Sequence, residues 1–286
     1  MTASVEAKVG GRTRLTGLIG WPVEHSLSPA IHNAAYLAAD LDWVYVPLPV
    51  VPGRLRSALD GLPALGFVGV NLTMPHKTEA AGLVGRLSED ASLLRAVNTI
   101  HVVADELEGH NTDVGGFDRF LRRDAGFNPA GRSALVFGAG GAARACALAL
   151  ARAGIDRLTV AARNEATTAS LRRLGDEVGV PVEVVRSEDV SGRRFDLVVN
   201  ATPVGTDTDP VQRSLPAFDP DVLVVDLLYE PRVTDLQRRA REAGATAFGG
   251  IGHLVEQAGR AFELWTGTPA PLEVMSAVAL AGLADR

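Results

Sequence analysis

The sequence predicts an α/β protein built as two domains. Short runs rich in Val, Leu and Ile alternate with longer alanine-rich stretches of helical period, glycines or polar residues close most of the short runs, and a glycine-rich turn near the middle of the 286 residues opens a second strand and helix series. Alternation of this kind predicts parallel strands joined by helices. The strands are expected over 16–20, 43–47, 66–71, 99–103, 134–137, 157–161, 182–185, 197–200 and 222–226. Helices are expected over 29–39, 54–60, 115–125, 142–153, 166–177, 233–243 and 253–265. The polar stretch 124–131 reads as a loop before the second unit, and Gly249-Gly250-Ile251-Gly252 interrupts the pattern ahead of a long amphipathic helix that is expected to return to the first domain. The expected domains are therefore 1–113 together with 252–286, and 114–251.

Composition narrows the function. The net charge is −6 and the arginines are dispersed among acids instead of gathered in a stripe, which argues against a nucleic-acid partner and for a small molecule. Cys146 is the sole cysteine, within an alanine-rich segment that reads as a buried helix, so neither a disulfide framework nor a thiolate metal site is expected. The six histidines show no paired ligand spacing, and no metal is predicted. Residues 1–15 lack an apolar leader and no stretch of eighteen uncharged apolar residues follows, so the expectation is a soluble cytoplasmic protein without a membrane partner.

The run Ser133-Ala134-Leu135-Val136-Phe137 leads into Gly138-Ala139-Gly140-Gly141-Ala142-Ala143 and then into a helical pattern. Strand, glycines and helix in register make a dinucleotide fingerprint. Gly138 permits a tight turn, Gly140 lets the backbone approach a pyrophosphate, small Ala143 lets the helix pack on the sheet, and free amides at the helix start attract phosphate. The following strand ends in Ala162-Arg163-Asn164, where an NAD-selective site usually places Asp or Glu for the ribose hydroxyls. Arg163 favours NADP, because a guanidinium pairs bidentately with a 2′-phosphate. Glu165 could pair with Arg163 instead and leave that choice open.

Lysine occurs only at Lys8 and Lys77, against 26 arginines. A guanidinium stays protonated whereas an ammonium can release its proton, so a lysine retained in such a chain points to proton chemistry. Lys77 closes the polar cluster Asn71-Leu72-Thr73-Met74-Pro75-His76-Lys77 after an apolar run, which makes it the first catalytic candidate. Asn98-Thr99 and Asn111-Thr112-Asp113 follow other apolar runs, at the strand ends where open α/β sheets bind ligands, although Asn and Asp also suit turns. In His25-Ser26-Leu27-Ser28-Pro29, Ser28 is expected at a helix N-cap and Pro29 at the first helical position. Capping does not explain Ser26, and two hydroxyls at a helix start also suit a carboxylate, so the spacing leaves capping and ligand binding both open.

Taken together these residues resemble the shikimate dehydrogenase family over nearly the whole chain. The likeness rests on the Ser26/Ser28 segment with His32-Asn33, the Asn71 to Lys77 segment, Ala96-Val97-Asn98-Thr99, Asn111-Thr112-Asp113, the glycine loop, Asn200-Ala201-Thr202-Pro203, Asp226-Leu227-Leu228-Tyr229 and Gln257. The resemblance implies reversible reduction of 3-dehydroshikimate to shikimate by NADPH, a step of aromatic amino-acid biosynthesis, in a cleft between a substrate domain and a Rossmann-like NADP domain. It implies Lys77 and Asp113 as the catalytic pair. Ser26 and Ser28 would hold the substrate carboxylate with Tyr229 nearby, and Asn71, Thr73, Asn98, Asp113 and Gln257 would bind ring hydroxyls. The cofactor set would be Gly138, Ala139, Gly140, Gly141, Ala142 and Arg163, with Thr202 and Gly252. Many members of the family are monomers or dimers, so the resemblance implies a monomer or homodimer.

The chain departs from the family pattern at Ala162, where Asn is common, at Asn164, where Thr is common, and at Thr206, where an apolar residue is usual. His253 stands where a Met close to nicotinamide and substrate is usual. As an N-terminal residue of its expected helix it is expected to face solvent; facing the substrate instead, it would point to a variant substrate. The competing readings are a quinate or aminoshikimate dehydrogenase using NAD or NADP, and an idle NADP-binding sensor, which would need no proton donor at position 77.

Overall fold

A computed structural model describes residues 9–162, 165–202 and 215–284. They form two compact units, Met1–Thr112 with Val255–Arg286, and Asp113–Leu254.

The first unit is built on six strands, β1 (Arg14–Gly20), β2 (Trp43–Pro49), β3 (Phe67–Leu72), β4 (Arg86–Leu87), β5 (Thr99–Val103) and β6 (Glu106–His110), in the order β2-β1-β3-β5-β6-β4. The parallel arrangement expected throughout holds for β2, β1 and β3. It fails at β5, which runs antiparallel to both β3 and β6. Against β6 the physical reason is the two-residue turn Ala104-Asp105, both residues at positive φ (50° and 65°). A right-twisted hairpin needs that backbone, and once it forms the chain must double back. Between the strands lie α1 (Ser28–Ala38), α2 (Leu55–Gly61), α3 (Lys77–Ala80) and α4 (Glu89–Leu94). Ile19, Leu55, Leu59, Val70, Leu72, Val97 and Ile100 form the core between sheet and helices.

The second unit carries β7 (Ser133–Phe137), β8 (Arg157–Ala161), β9 (Val182–Val185), β10 (Leu197–Asn200), β11 (Leu223–Asp226) and β12 (Thr246–Phe248), ordered β12-β11-β10-β7-β8-β9 and all parallel. Its central strands β7, β10 and β11 are buried on both faces, as the unbroken run SALVF of β7 requires. The helices α5 (Thr112–Arg123), α6 (Gly141–Arg152), α7 (Glu165–Val178) and α8 (Asp235–Glu242) accompany them. Thr234 starts α8 with a capping box, its hydroxyl accepting from Gln237 N while the Gln237 side chain accepts from Thr234 N. Cys146 is buried in α6, and burial raises its thiol pKa well above the ordinary value.

Two helices close the chain, α9 (Ile251–Thr266) and α10 (Leu272–Ala284). Trp265 on α9 donates its indole N–H to Ile100 O at 2.9 Å, seating the helix on the first sheet. This contact is possible only because residue 69 is glycine: a Cβ there would stand 2.3 Å from Ile100 O and 2.3 Å from Trp265 Nε1. The helix α10 packs on α1, with Gly282 over Leu27. Among the described residues no helix is long and apolar enough to cross a membrane, and no group of His, Cys, Asp and Glu could hold a metal.

Candidate active site

The carboxyl ends of β1, β3 and β6 carry most of the polar residues singled out above, whereas Asn98-Thr99 open β5 instead of following it, because β5 runs antiparallel to β3 and brings its amino end to the same edge. Leu27, and not Ser28, is the N-cap of α1, with φ and ψ of −82° and −13°, and Ser28 is the first helical residue. Ser26 does the local work instead, its hydroxyl accepting from Ser28 N at 3.2 Å. That bond answers why Ser26 is polar without removing its capacity to donate to a ligand. Ser28 is buried, Ser26 and Thr73 are half-buried.

Asn71 is held by three partners. Its Oδ1 accepts from Tyr45 OH at 2.8 Å, and its amide donates to Thr99 Oγ1 at 2.9 Å and to Asn98 O at 3.2 Å. Tyr45 has the stronger claim to notice, since nothing in the sequence marks it beyond a place in a strand. Burial raises its phenol pKa, the neighbouring Tyr36 adds to the shift and a hydrogen bond with Ser28 opposes it, so the hydroxyl is a committed donor that links the Ser28 and Asn71 positions. The ring is fixed by His32, stacked on it at 4.4 Å with planes 1° apart, and by Asn33, which bonds both the N–H and the C=O of Tyr45. The pair His32-Asn33 thus serves to set Tyr45. Tyr45→Phe is expected to lower kcat/KM for the substrate roughly fivefold to tenfold, about 1 kcal/mol for one buried hydrogen bond. Steady-state rates of a variant with wild-type melting behaviour check it.

His32 also makes this unit sensitive to acid. Burial lowers its pKa from 6.5 to about 3. The folded state therefore binds the neutral imidazole, whereas the unfolded chain takes up a proton below pH 6.5. Stability from this group is present above the unfolded value and is lost as pH falls from 6.5 toward 3, by about 2 kcal/mol at pH 5 relative to pH 7.5. Urea unfolding at the two pH values, compared with His32→Phe, measures it, and the variant should lack most of the difference.

Lys77 is the first residue of α3 and half-buried. Its main chain is tied on both sides. The preceding His76 is fully buried with Nε2 2.7 Å from Val50 O, and Val97 N donates to Lys77 O at 2.8 Å. Val97 brings in Asn98, whose Oδ1 accepts from Thr112 N at 2.7 Å and whose amide donates to Thr112 Oγ1 at 3.1 Å. Asn98 therefore fixes the start of α5. Asp113 follows in the first turn of that helix, buried, where backbone amides and the helix dipole favour a carboxylate. Asn111 assists by donating to Ala96 O at 3.0 Å.

The second unit holds the glycine loop. Gly138 has φ +107°, and a Cβ there would meet Ala201 O at 3.0 Å and Thr202 Cγ2 at 3.3 Å, so the loop and Thr202 are neighbours. At Gly140 and Gly141 a Cβ would meet nothing within 4 Å. The open space above the first turn of the twelve-residue α6 fits a dinucleotide pyrophosphate, with Gly140 as its N-cap and no side-chain cap bond from that residue. Ala139 and Ala142 are half-buried beside it, and Ala143 is fully buried against the sheet. The loops after β10 and β11 share one clasp: Asn200 donates to Asp226 Oδ1 at 3.0 Å and accepts from Thr202 Oγ1 at 2.7 Å, while Asp226 accepts from Leu228 N and Thr234 Oγ1. Asn200 and Asp226 thus act as buried positioning groups for Thr202 and for the segment bearing half-buried Tyr229. Gly252 has a packing reason to be glycine, since a Cβ would stand 2.5 Å from the Phe120 ring. Gln257 lies half-buried on α9. Arg163, Asn164, Pro203 and Thr206 lie outside the described residues.

His253 departs from its expected place. It is 9% exposed, not turned to solvent, with its ring edge-on to Phe117 at 5.8 Å and Nε2 3.9 Å from Asp113 Oδ1. The cause is that α9 begins against Phe120 of α5, so its first turn is packed on protein.

Residues 18–100 match the family model described as the shikimate dehydrogenase substrate binding domain, and residues 250–280 match the shikimate 5'-dehydrogenase C-terminal domain. A shikimate dehydrogenase (NADP(+)) of Methanopyrus kandleri is 44% identical over 283 residues, which cover 95% of this chain and 97% of that one. The chain belongs to the shikimate dehydrogenase family. A solved shikimate dehydrogenase in complex with NADP+ aligns with a TM-score of 0.89 and 34% identity over 98% of this chain and 99% of that one. Quinate dehydrogenase from Corynebacterium glutamicum, solved with NAD, aligns at 0.83 and 33% over 94% and 99%. Backbone likeness to this chain thus extends from a protein solved with NADP+ to one named for quinate and solved with NAD.

Proposed function

We propose that this chain catalyses the reversible NADPH-dependent reduction of 3-dehydroshikimate to shikimate in aromatic amino-acid biosynthesis. The observation that carries this reading is whole-length identity to relatives named for NADP(+) and shikimate, joined to a Lys77 whose backbone is fixed from both sides. Ser26 and Ser28 at the start of α1 hold the substrate carboxylate, with Tyr229. Asn71, Thr73, Asn98 and Gln257 receive the ring hydroxyls. NADPH, when bound at Gly138, Ala139, Gly140, Gly141 and Ala142 with Thr202, Gly252 and Arg163, supplies the hydride for the C3 carbonyl. Lys77 Nζ donates a proton to the oxygen at C3 as negative charge grows there, and Asp113 orients Lys77 and the C4 hydroxyl. A cytoplasmic setting suits a chain whose sole thiol is buried in α6.

Loss of NADPH absorbance on adding 3-dehydroshikimate, with shikimate identified as product, tests the reaction. The cofactor half has its own test. Arg163→Ala is expected to raise the KM for NADP+ by about tenfold to a hundredfold while leaving NAD+ nearly unchanged, which is the loss of about 1.5–3 kcal/mol from a charge-assisted bond to phosphate. Equal losses with both cofactors would place Arg163 elsewhere in the chemistry.

A further inference from the structure

The corner where α9 meets α5 holds more than packing. His253 enters a buried site lined by Phe117, and its Nε2 lies 3.9 Å from Asp113 Oδ1, too long for a hydrogen bond and within range of an ion pair once the imidazole is protonated. Burial of a group with ionisable character beside a carboxylate is costly unless the two act on each other. Asn98 fixes the preceding residue Thr112 through two hydrogen bonds, which holds the backbone from which the Asp113 side chain projects. From this geometry we infer that His253 is a positioning residue for Asp113, its imidazolium keeping the Asp113 carboxylate ionised and aimed as the pH falls. The inference rests on the role given to Asp113 in the proposed reaction.

Other groups at this corner do not substitute for it. Cys146 of α6 senses the Asp113 carboxylate, which adds to the burial that raises its thiol pKa, so it carries no positive charge. Asp124, near the far end of α5, has an oxygen 3.2 Å from the place of a Gly252 Cβ and is itself raised by burial, with Arg123 opposing. Glu256, one turn along α9 from His253, is a buried acid. Asp113, Asp124 and Glu256 are all acids, and Asp113 is the one whose carboxylate lies within ion-pair range of the imidazole among the described contacts. His253 adds a second positive charge beside Asp113 on the acid side of neutrality, apart from the Lys77 ammonium that the proposed reaction sets against the same carboxylate.

The test is the pH profile of kcat/KM for shikimate oxidation in wild type, His253→Met and His253→Gln. Removing the positive partner lets Asp113 take up a proton more readily, so the acid limb is expected to move upward by about one pH unit in both variants, while kcat at the optimum changes by less than about threefold. Gln keeps polarity without charge and guards against a packing defect specific to Met. A limb that stays in place in both variants, with only a uniform loss of rate, would reduce His253 to a structural residue. A second measurement needs no turnover: the ring Cε1 proton of His253, followed by NMR, should titrate at higher pH in wild type than in Asp113→Asn. Coincident titrations would overturn the coupling whatever the substrate proves to be, whereas absence of wild-type turnover with normal coupling would count against the proposed reaction alone.

Discussion

Lys77→Ala is expected to lower kcat by about 10²–10⁴-fold while the Michaelis constant for shikimate changes by less than about threefold. The ammonium is needed where charge grows on the C3 oxygen and is worth little in the ground state, so its loss falls on turnover. Lys77→Arg sharpens the point. A guanidinium keeps the positive charge but does not give up its proton near neutrality, so this variant should remain close to Lys77→Ala and far from wild type. The backbone around residue 77 is secured independently, by His76 on Val50 O and by Val97 N on Lys77 O, so neither substitution should alter the fold. Recovery of most activity by Arg would show that charge alone is required. A raised KM with intact kcat would make Lys77 a binding residue.

The largest effect on stability is expected at Gly69→Ala. The added Cβ would lie 2.3 Å from the carbonyl oxygen of Ile100 and the same distance from Trp265 Nε1. One obstacle is backbone of the neighbouring strand, so relief requires β3 and β5 to part, and that breaks the 2.9 Å bond from Trp265 to Ile100 O. A cost of about 3 kcal/mol follows from overpacking and the lost hydrogen bond, which lowers Tm by roughly 6–12 °C for a chain of this size. Gly61→Ala is the control. That glycine ends α2 with Leu65 Cδ1, at 3.8 Å, as the nearest obstacle, and alanine there should be neutral or slightly stabilising. Calorimetry of the two variants separates close approach of backbone from a general intolerance of Gly→Ala changes.

How far the sequence could be read depended on whether a residue's role was local. Strands buried on both faces, such as β7 and β10, announce themselves as unbroken apolar runs. Residues 106–110, ELEGH, do not, because polar residues surround one Leu and only pairing with β5 makes them a strand. The helix α10 was hidden for the opposite reason. Its apolar residues are spread around the whole axis, leaving no stripe of helical period. Short α3 and α4 fall below the length at which periodicity can register. Within the candidate site, the glycine loop and Lys77 were legible because their residue types are themselves chemical statements. Tyr45 was not, since its meaning comes from Asn71 on β3, twenty-six positions away. Ser28 and His253 were misplaced by reasoning from helix ends alone: in one case a helix began one residue early, and in the other its first turn met Phe120 instead of water.

The proposed function requires side chains on this fold that select shikimate and NADP. Initial rates of the purified protein with shikimate, quinate and aminoshikimate, each with NADP+ and with NAD+, test it most directly. Shikimate with NADP+ should exceed every other pair in kcat/KM by tenfold or more, about 1.4 kcal/mol of transition-state stabilisation. A higher kcat/KM for quinate or aminoshikimate, or for NAD+, would contradict it.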